Sequence, residues 1–223
     1  GDDTFTVNNV GADNLGDGNI ITGGDGDDTI FVRNTNDGDL DVDGGAGVDV
    51  ITTGSGVDTL IGGFGSDLLN GQADNDVLTG GTGVDTFDYA TTDGVAITQA
   101  AGAALTFGAP RDLIAGTVDL ITDFTTGTDF LNFVTAGAAA NFTNVAGNVA
   151  ATYTAALAAN NADAATTVYE VYAVGNGNSF TSYLFINGPA AGSDAIGAIQ
   201  LGATGSFATT AGALAAIAAA DII

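Results

Sequence analysis

The sequence predicts an all-β chain: a parallel β-roll over residues 1–90, then a β-rich capping half over 91–223 that includes one short helix. Three observations point there. Residues 44–88 divide into five consecutive nines, GGAGVDVIT, TGSGVDTLI, GGFGSDLLN, GQADNDVLT and GGTGVDTFD. Every nine carries a carboxylate at its sixth place and an apolar residue at its eighth, after a start rich in glycine. Beyond residue 90 the beat stops, and Ala and Thr take over.

Counting outward in nines extends the first half. Residues 23–31, GGDGDDTIF, fit every place, whereas 14–22, NLGDGNIIT, fit poorly and put Asn19 in the acid slot. A three-residue insertion at 32–34 precedes a degenerate nine at 35–43, whose acid slot holds Leu40. The segments 1–22 and 32–43 are therefore read as degenerate roll. The eighth-place column is Ile21, Ile30, Val42, Ile51, Leu60, Leu69, Leu78 and Phe87, apolar throughout. A short turn plus a short strand carries the chain halfway round a flat coil, so that two nines complete one turn and each strand lies beside its predecessor. Glycine lets the turn adopt positive φ and brings backbone carbonyls close to a ligand. The eighth-place side chains stack inward as a thin core.

This geometry sorts the acids into two ladders. Asp28, Asp49, Asp67 and Asp85 line one edge, and Asp58 and Asp76 line the other, continued by Asn19 and Leu40. Neighbouring strands lie about 4.8 Å apart. Carboxylates that close repel by roughly 3–4 kcal/mol at an effective dielectric near 20. Several such rungs exceed what a thin core offsets, because whole domains hold only about 5–15 kcal/mol. Neutralising bases are missing: the chain has 27 acids and two bases, Arg33 and Arg111, for a formal charge of −25. All the acids but Glu170 are aspartates, and 18 of those precede residue 90. Short carboxylates among glycines suit hard cations. Ca²⁺ accepts six to eight oxygens at flexible angles, while Mg²⁺ demands tight octahedral geometry. The expected sites combine the aspartate pairs with turn carbonyls at Gly26, Gly44, Gly45, Gly47, Gly62, Gly63, Gly65, Gly80, Gly81 and Gly83, with Asn19 as a further oxygen. Without the ions, strong charge and few large apolar residues leave the repeats short of the entropy of folding. The competing readings are a flexible Gly/Asp linker and a metal-free solenoid with solvated acids. Unbroken nines with a wholly apolar eighth column speak against the first.

Composition also excludes. With neither Cys nor His, the chain has no disulfide, no zinc site of the usual kind and no Ser-His-Asp or Cys-His machinery. No basic face is available for nucleic acid, and no run of apolar residues is long enough to span a bilayer. The opening Gly1-Asp2-Asp3, without Met, reads as a processed product or a fragment. An aspartate-pair glycosidase is conceivable, but the paired acids already have a ladder to occupy. Ice binding finds no regular threonine array, because Thr29, Thr59 and Thr86 alternate with Val50, Leu68 and Val77.

In the second half, TTVYEVYAV (167–175) and SYLFI (182–186) read as strands across the turn-rich GNGNS, and LITDF, FLNFV and AIGAIQL are further candidates. Val149, Tyr153 and Leu157 lie four apart, as on one face of a short helix over 148–160. The tail, SFATTAGALAAIAAADII, is small and apolar.

The nines resemble the RTX family, whose hallmark is GGxGxDxUx. Residues 23–31, 44–52, 62–70 and 80–88 match every fixed place, while Thr53, Gln72 and Asp74 depart from it. Asp74 either adds a ligand or takes positive φ from its turn. DLITDFTTGTDFLNF (119–133) is similar to a segment that follows the repeats in many RTX proteins, and there Asp119, Asp123 and Asp129 are expected as turn caps, with an extra calcium site as the other reading. The resemblance implies bound calcium and a C-terminal type I secretion signal, here at 205–223, with a buried closing helix as the other reading of that tail. The composition is most similar to RTX-type bacterial surface-layer proteins. That likeness implies a secreted, calcium-folded, non-enzymatic, self-associating cell-surface component, with an outer-membrane glycolipid as a further partner. Val50, Ile61, Leu68 and Val77 would then touch the second half or neighbouring copies. The other class is the export and folding module of a secreted protease, lipase or adhesin.

Overall fold

The computed structural model describes residues 1–9, 18–34, 38–89, 91–92, 95–96, 118–132, 142–143, 149–150, 155–156, 159, 169–176, 178–187, 195–202, 207–218 and 221–222. Strands β1 (Thr4–Asn9), β2 (Asn19–Asp25), β3 (Thr29–Asn34), β4 (Leu40–Ala46), β5 (Val50–Thr52), β6 (Thr59–Phe64), β7 (Leu68–Asn70), β8 (Val77–Thr82) and β9 (Thr86–Asp88) alternate between two parallel sheets. Odd strands build one sheet and even strands the other, which is the halfway-round geometry the nine-residue period requires. The core column is as the spacing predicts. Ile30, Val42, Ile51, Leu60, Leu69, Leu78 and Phe87 are buried, and only Ile21, on the end strand, is partly exposed.

The insertion at 32–34 does not form a loop. It lengthens β3, whose six residues pair in register with β1, and Val32 is buried as an additional core residue.

Neither sheet stops at residue 90. After β10 (Thr91–Thr92) and β11 (Val95–Ala96), which pair antiparallel, β12 (Asp119–Ile121) adds to β8 and β13 (Phe130–Asn132) adds to β9, both parallel. Ile121 and Leu131 thereby extend the eighth-place column. Short strands β14 (Phe142–Thr143) and β15 (Val149–Ala150) flank β16 (Tyr169–Asn176), which forms an antiparallel hairpin with β17 (Ser179–Asn187). Strand β18 (Ala195–Leu201) pairs with β17 on one side and with β12 on the other, so the hairpin prolongs the even sheet. One face of the hairpin joins the roll core through Val171, Ala173, Leu184, Ile186, Ile199 and Leu201. The opposite face carries a second cluster around Tyr172, Tyr183 and Phe185.

Val149 stands in β15 rather than in the helix read over 148–160; Ala155, Ala156 and Ala159 are helical, and Tyr153 and Leu157 lie outside the described residues. A short helix also occupies Thr210–Leu214, with the Thr209 hydroxyl accepting from the Gly212 amide. It buries Ala213 and Leu214, followed by Ile217 and Ile222. Asp221 fixes the tail by accepting from Thr126 Oγ1 at 2.6 Å, the Gly127 amide at 2.9 Å and the Ala218 amide at 2.7 Å.

Candidate metal centre

Turns of three residues on one edge and six on the other place the sixth-place aspartates in columns at their ends. Strand register puts Asp3, Asp28, Asp49, Asp67, Asp85 and Asp129 on one edge. Asn19, Leu40, Asp58, Asp76 and Asp119 fall on the other. The sequence-predicted ladders are all in their columns, and each is longer than the repeats alone suggest.

One oxygen of each carboxylate has a fixed job. Oδ1 accepts the backbone amide of the same column on the preceding rung. The Asp3, Asp28, Asp49, Asp67 and Asp85 amides donate to Asp28, Asp49, Asp67, Asp85 and Asp129 at 2.7 to 3.1 Å. On the other edge the Leu40, Asp58 and Asp76 amides donate to Asp58, Asp76 and Asp119, each at 2.9 Å. The carboxylates staple rung to rung even before any ion is considered. Leu40 takes part through its backbone, which is how a rung without an acid still holds register.

The second oxygen is different. Oδ2 of Asp28, Asp49, Asp58, Asp67 and Asp76 is shielded from water and has no hydrogen-bond donor. A buried anionic oxygen without a partner is costly. Burial accordingly raises the Asp58 and Asp67 carboxyls to about 6. It raises Asp49, Asp85 and Asp129 as well. Asp76 is raised most, by burial first and then by the adjacent Asp119.

The glycines explain how more oxygens reach this place. A methyl group on Gly44 would lie 2.5 Å from Asp49 Oδ2 and 2.8 Å from the Gly62 carbonyl oxygen. One on Gly62 would meet Asp67 Oδ2 at 2.5 Å and the Gly80 carbonyl at 2.6 Å. At the second and fourth places, Gly26, Gly45, Gly47, Gly63, Gly65, Gly81 and Gly83 hold φ between 101° and 142°. Methyl groups on Gly45, Gly47, Gly63, Gly65, Gly81 and Gly83 would run into the carbonyl of the preceding rung. Carboxylate and carbonyl oxygens therefore crowd each turn with no side chain between them. That donor set, hard oxygens with paired carboxylates, fits Ca²⁺. Among the described residues no three His, Cys, Asp or Glu side chains converge, so backbone carbonyls must supply much of any coordination shell.

Departures from the consensus have distinct consequences. Thr53, in a first place, is buried, and its hydroxyl donates to the Gly71 carbonyl at 3.1 Å. Gln72 and Asp74 keep their turn's shape by adopting φ of 71° and 80° themselves. The caps at 123–129 are formed by hydrogen bonds: Asp123 accepts from the Gly80 and Gly81 amides, and Asp129 from those of Asp85 and Thr125. Asp119 occupies the ladder position below Asp76, where its Oδ1 accepts the Asp76 amide. The sequence signal was present, since Asp119 and Ile121, like Asp129 and Leu131, repeat the sixth- and eighth-place spacing.

Comparison with known proteins agrees with the repeats. Comparison with curated proteins finds no match. Among solved structures, the AlgE6R3 subunit from the Azotobacter vinelandii mannuronan C5-epimerase, a solution structure, is similar at TM-score 0.35 and 23% identity. That alignment covers 90% of this chain and 80% of that one. Residues 41–69 and 52–87 match the model of the RTX calcium-binding nonapeptide repeat (4 copies). The ladder residues from Asp49 to Asp85 lie within the segment that matches this repeat model.

Proposed function

We propose that the chain is a calcium-dependent extracellular structural module, exported unfolded by a type I route and assembling at a cell surface as a surface-layer component. One observation carries the reading: a column of buried carboxylate oxygens with no donor, facing glycine turns whose carbonyls crowd the same space. Asp28, Asp49, Asp67 and Asp85 would hold ions on one edge, and Asp58 and Asp76 on the other, together with the glycine-turn carbonyls. Bound calcium supplies the positive charge that the chain lacks. The chain's own residues keep the rungs in register through Oδ1 and exclude water through the eighth-place column.

Extracellular calcium modules bind with dissociation constants of about 10⁻⁴–10⁻³ M. In a cytosol far below that range the sites stay empty and the repeats unfolded; outside, mass action folds them. Residues 91–223 act as the cap. The tail at 205–223 is an export signal while extended and a closing element once folded, supported by the burial of Asp221 and Ile222. Self-association finds candidate contacts in exposed apolar side chains such as Ile61, Phe64 and Val84; Val50, Leu68 and Val77 are half-buried within the roll. An outer-membrane glycolipid is the proposed surface ligand.

The test is far-UV circular dichroism with light scattering during calcium titration of chelated protein, with magnesium as control. Coil-to-strand conversion by calcium alone, with scattering rising as assemblies form, is the expected result. Folding without scattering removes the assembly part of the reading. A chelated chain already folded and indifferent to calcium removes all of it.

A further inference from the structure

The turn Gly71–Asp76 is the least glycine-rich of the matched repeats and the richest in side-chain oxygen. Its sequence, GQADND, puts carboxylates or amides at four of six places. Gln72 and Asp74 adopt the positive φ that glycine supplies elsewhere, so the backbone keeps the carbonyl-presenting shape of the consensus turns. Two of its side-chain oxygens are shielded and lack any donor: Asp76 Oδ2 and Asn75 Oδ1. Asp76 itself is 1% exposed. No other described turn holds two such atoms.

The rung beneath it comes from outside the repeats. Strand β12 enters the even sheet after an excursion of 43 residues and still lands in register, Leu120 beside Val77 and Ile121 beside Leu78. That brings Asp119 to the position below Asp76, with Asp119 Oδ1 accepting the Asp76 amide at 2.9 Å. Two aspartates on adjacent rungs at the end of the acid column, in a chain with almost no bases, would repel without a cation. Strand β18 follows β12 in the sheet and presents Ile199 opposite Asp119, so the column of acids ends here.

The geometry points to a divalent cation site made by Asp76, Asn75 and Asp119, bridging the last repeat of this edge to the strand that joins the second half. It is an oxygen site for a hard cation of the Ca²⁺ class, built on side chains where the other edge relies on glycine carbonyls. It rests on the calcium reading of the repeats and adds a coordination step that the repeat pattern, ending at residue 87, does not contain. One ion there fastens roll to cap, because β12 is the strand through which the hairpin reaches the even sheet.

Native mass spectrometry of the full chain at increasing calcium counts the ions. Asp119→Asn keeps an Oδ1 acceptor for the Asp76 amide but removes the charge, and it should bind one ion fewer, with the remaining ions filling within about twofold of their original calcium concentrations. An unchanged ion count in D119N overturns the proposal. If D119N does not fold, the ¹³Cγ resonances of Asp76 and Asp119 in the unaltered chain decide. Both should shift during the calcium titration, and an Asp119 signal that stays fixed while Asp67 moves overturns the site. A chain that binds no calcium at all removes the reading of the repeats as well, whereas a D119N chain that still binds the full number of ions removes only this site.

Discussion

The repeat half and the closing hairpin reach a similar result, a β-sheet over an apolar core, by opposite means. In the repeats one apolar column is flanked on both edges by buried carboxylates, and adjacent strands run parallel. In the hairpin, β16, β17 and β18 pair antiparallel and bury apolar side chains on both faces, from Leu184 and Ile199 on one to Tyr172 and Phe185 on the other. The hairpin relies chiefly on apolar burial, part of it shared with the roll core, and among the described residues it buries one carboxyl, Glu170. The repeats bury charge as well as apolar surface, so their stability depends on what neutralises that charge. On the proposed calcium reading, the dependence on the ion would fall on one part of a continuous sheet.

The largest test of this contrast is chelation followed by hydrogen exchange. Amides of Ile51, Leu60, Leu69 and Leu78 should lose essentially all protection, while those of Val171, Leu184 and Phe185 keep at least tenfold more. Equal loss in both halves would break the contrast. Next in size, Leu69→Ala and Leu184→Ala each truncate a wholly buried side chain and should destabilise by about 2–5 kcal/mol. The roll variant should show this as a raised calcium midpoint, while the hairpin variant should lower the urea midpoint even at saturating calcium.

Charge sharpens the comparison further. Asp67→Asn keeps the Oδ1 staple and removes one repelling carboxylate. It should raise the calcium midpoint about tenfold, roughly 1.4 kcal/mol, yet increase residual structure in chelator; a change of the same sign under both conditions would contradict the ladder. The pH response follows the same logic. Asp58 and Asp67 are raised to about 6 in the fold, by burial first, against about 3.9 in an unfolded chain. A carboxyl with a raised folded value gives stability that is complete below the unfolded value and lost as pH climbs through the folded one. The chelated repeats should therefore gain strand signal as pH falls from 7 toward 4, and the hairpin should not respond. The smallest effect is Gln72→Gly, which relieves positive φ at a non-glycine residue and should stabilise by up to about 1 kcal/mol in thermal melts.

Most of the roll was legible because its period, its inward column and its acid slot are strictly local. Ile51 and Leu69 announce themselves by spacing alone. What escaped depends on chain returning from a distance. Asp119 and Asp129 carry the acid-to-apolar spacing of the repeats, but no unbroken count in nines reaches them from Phe87. Only the register of β12 and β13 places them in the columns. The division of labour between Oδ1 and Oδ2 was likewise hidden, since it follows from how closely parallel rungs stack. The helix read near 148–160 failed at Val149 because four-residue spacing in Ala-rich sequence also suits a short edge strand. The tail's apolar residues fit two roles, and in the fold Leu214, Ile217 and Ile222 pack into the core.

The stapling of each rung to the next has a mechanical consequence. Successive rungs of one edge are 18 residues apart and joined by the same amide-to-carboxylate bond. Tension along the coil axis would load these bonds in series, so the roll should yield one rung at a time. Each yield would release about 60 Å of extended chain. A layer tethered through such modules would stretch in repeated equal increments and re-form them as tension falls, with the calcium concentration setting the force at which each increment lets go.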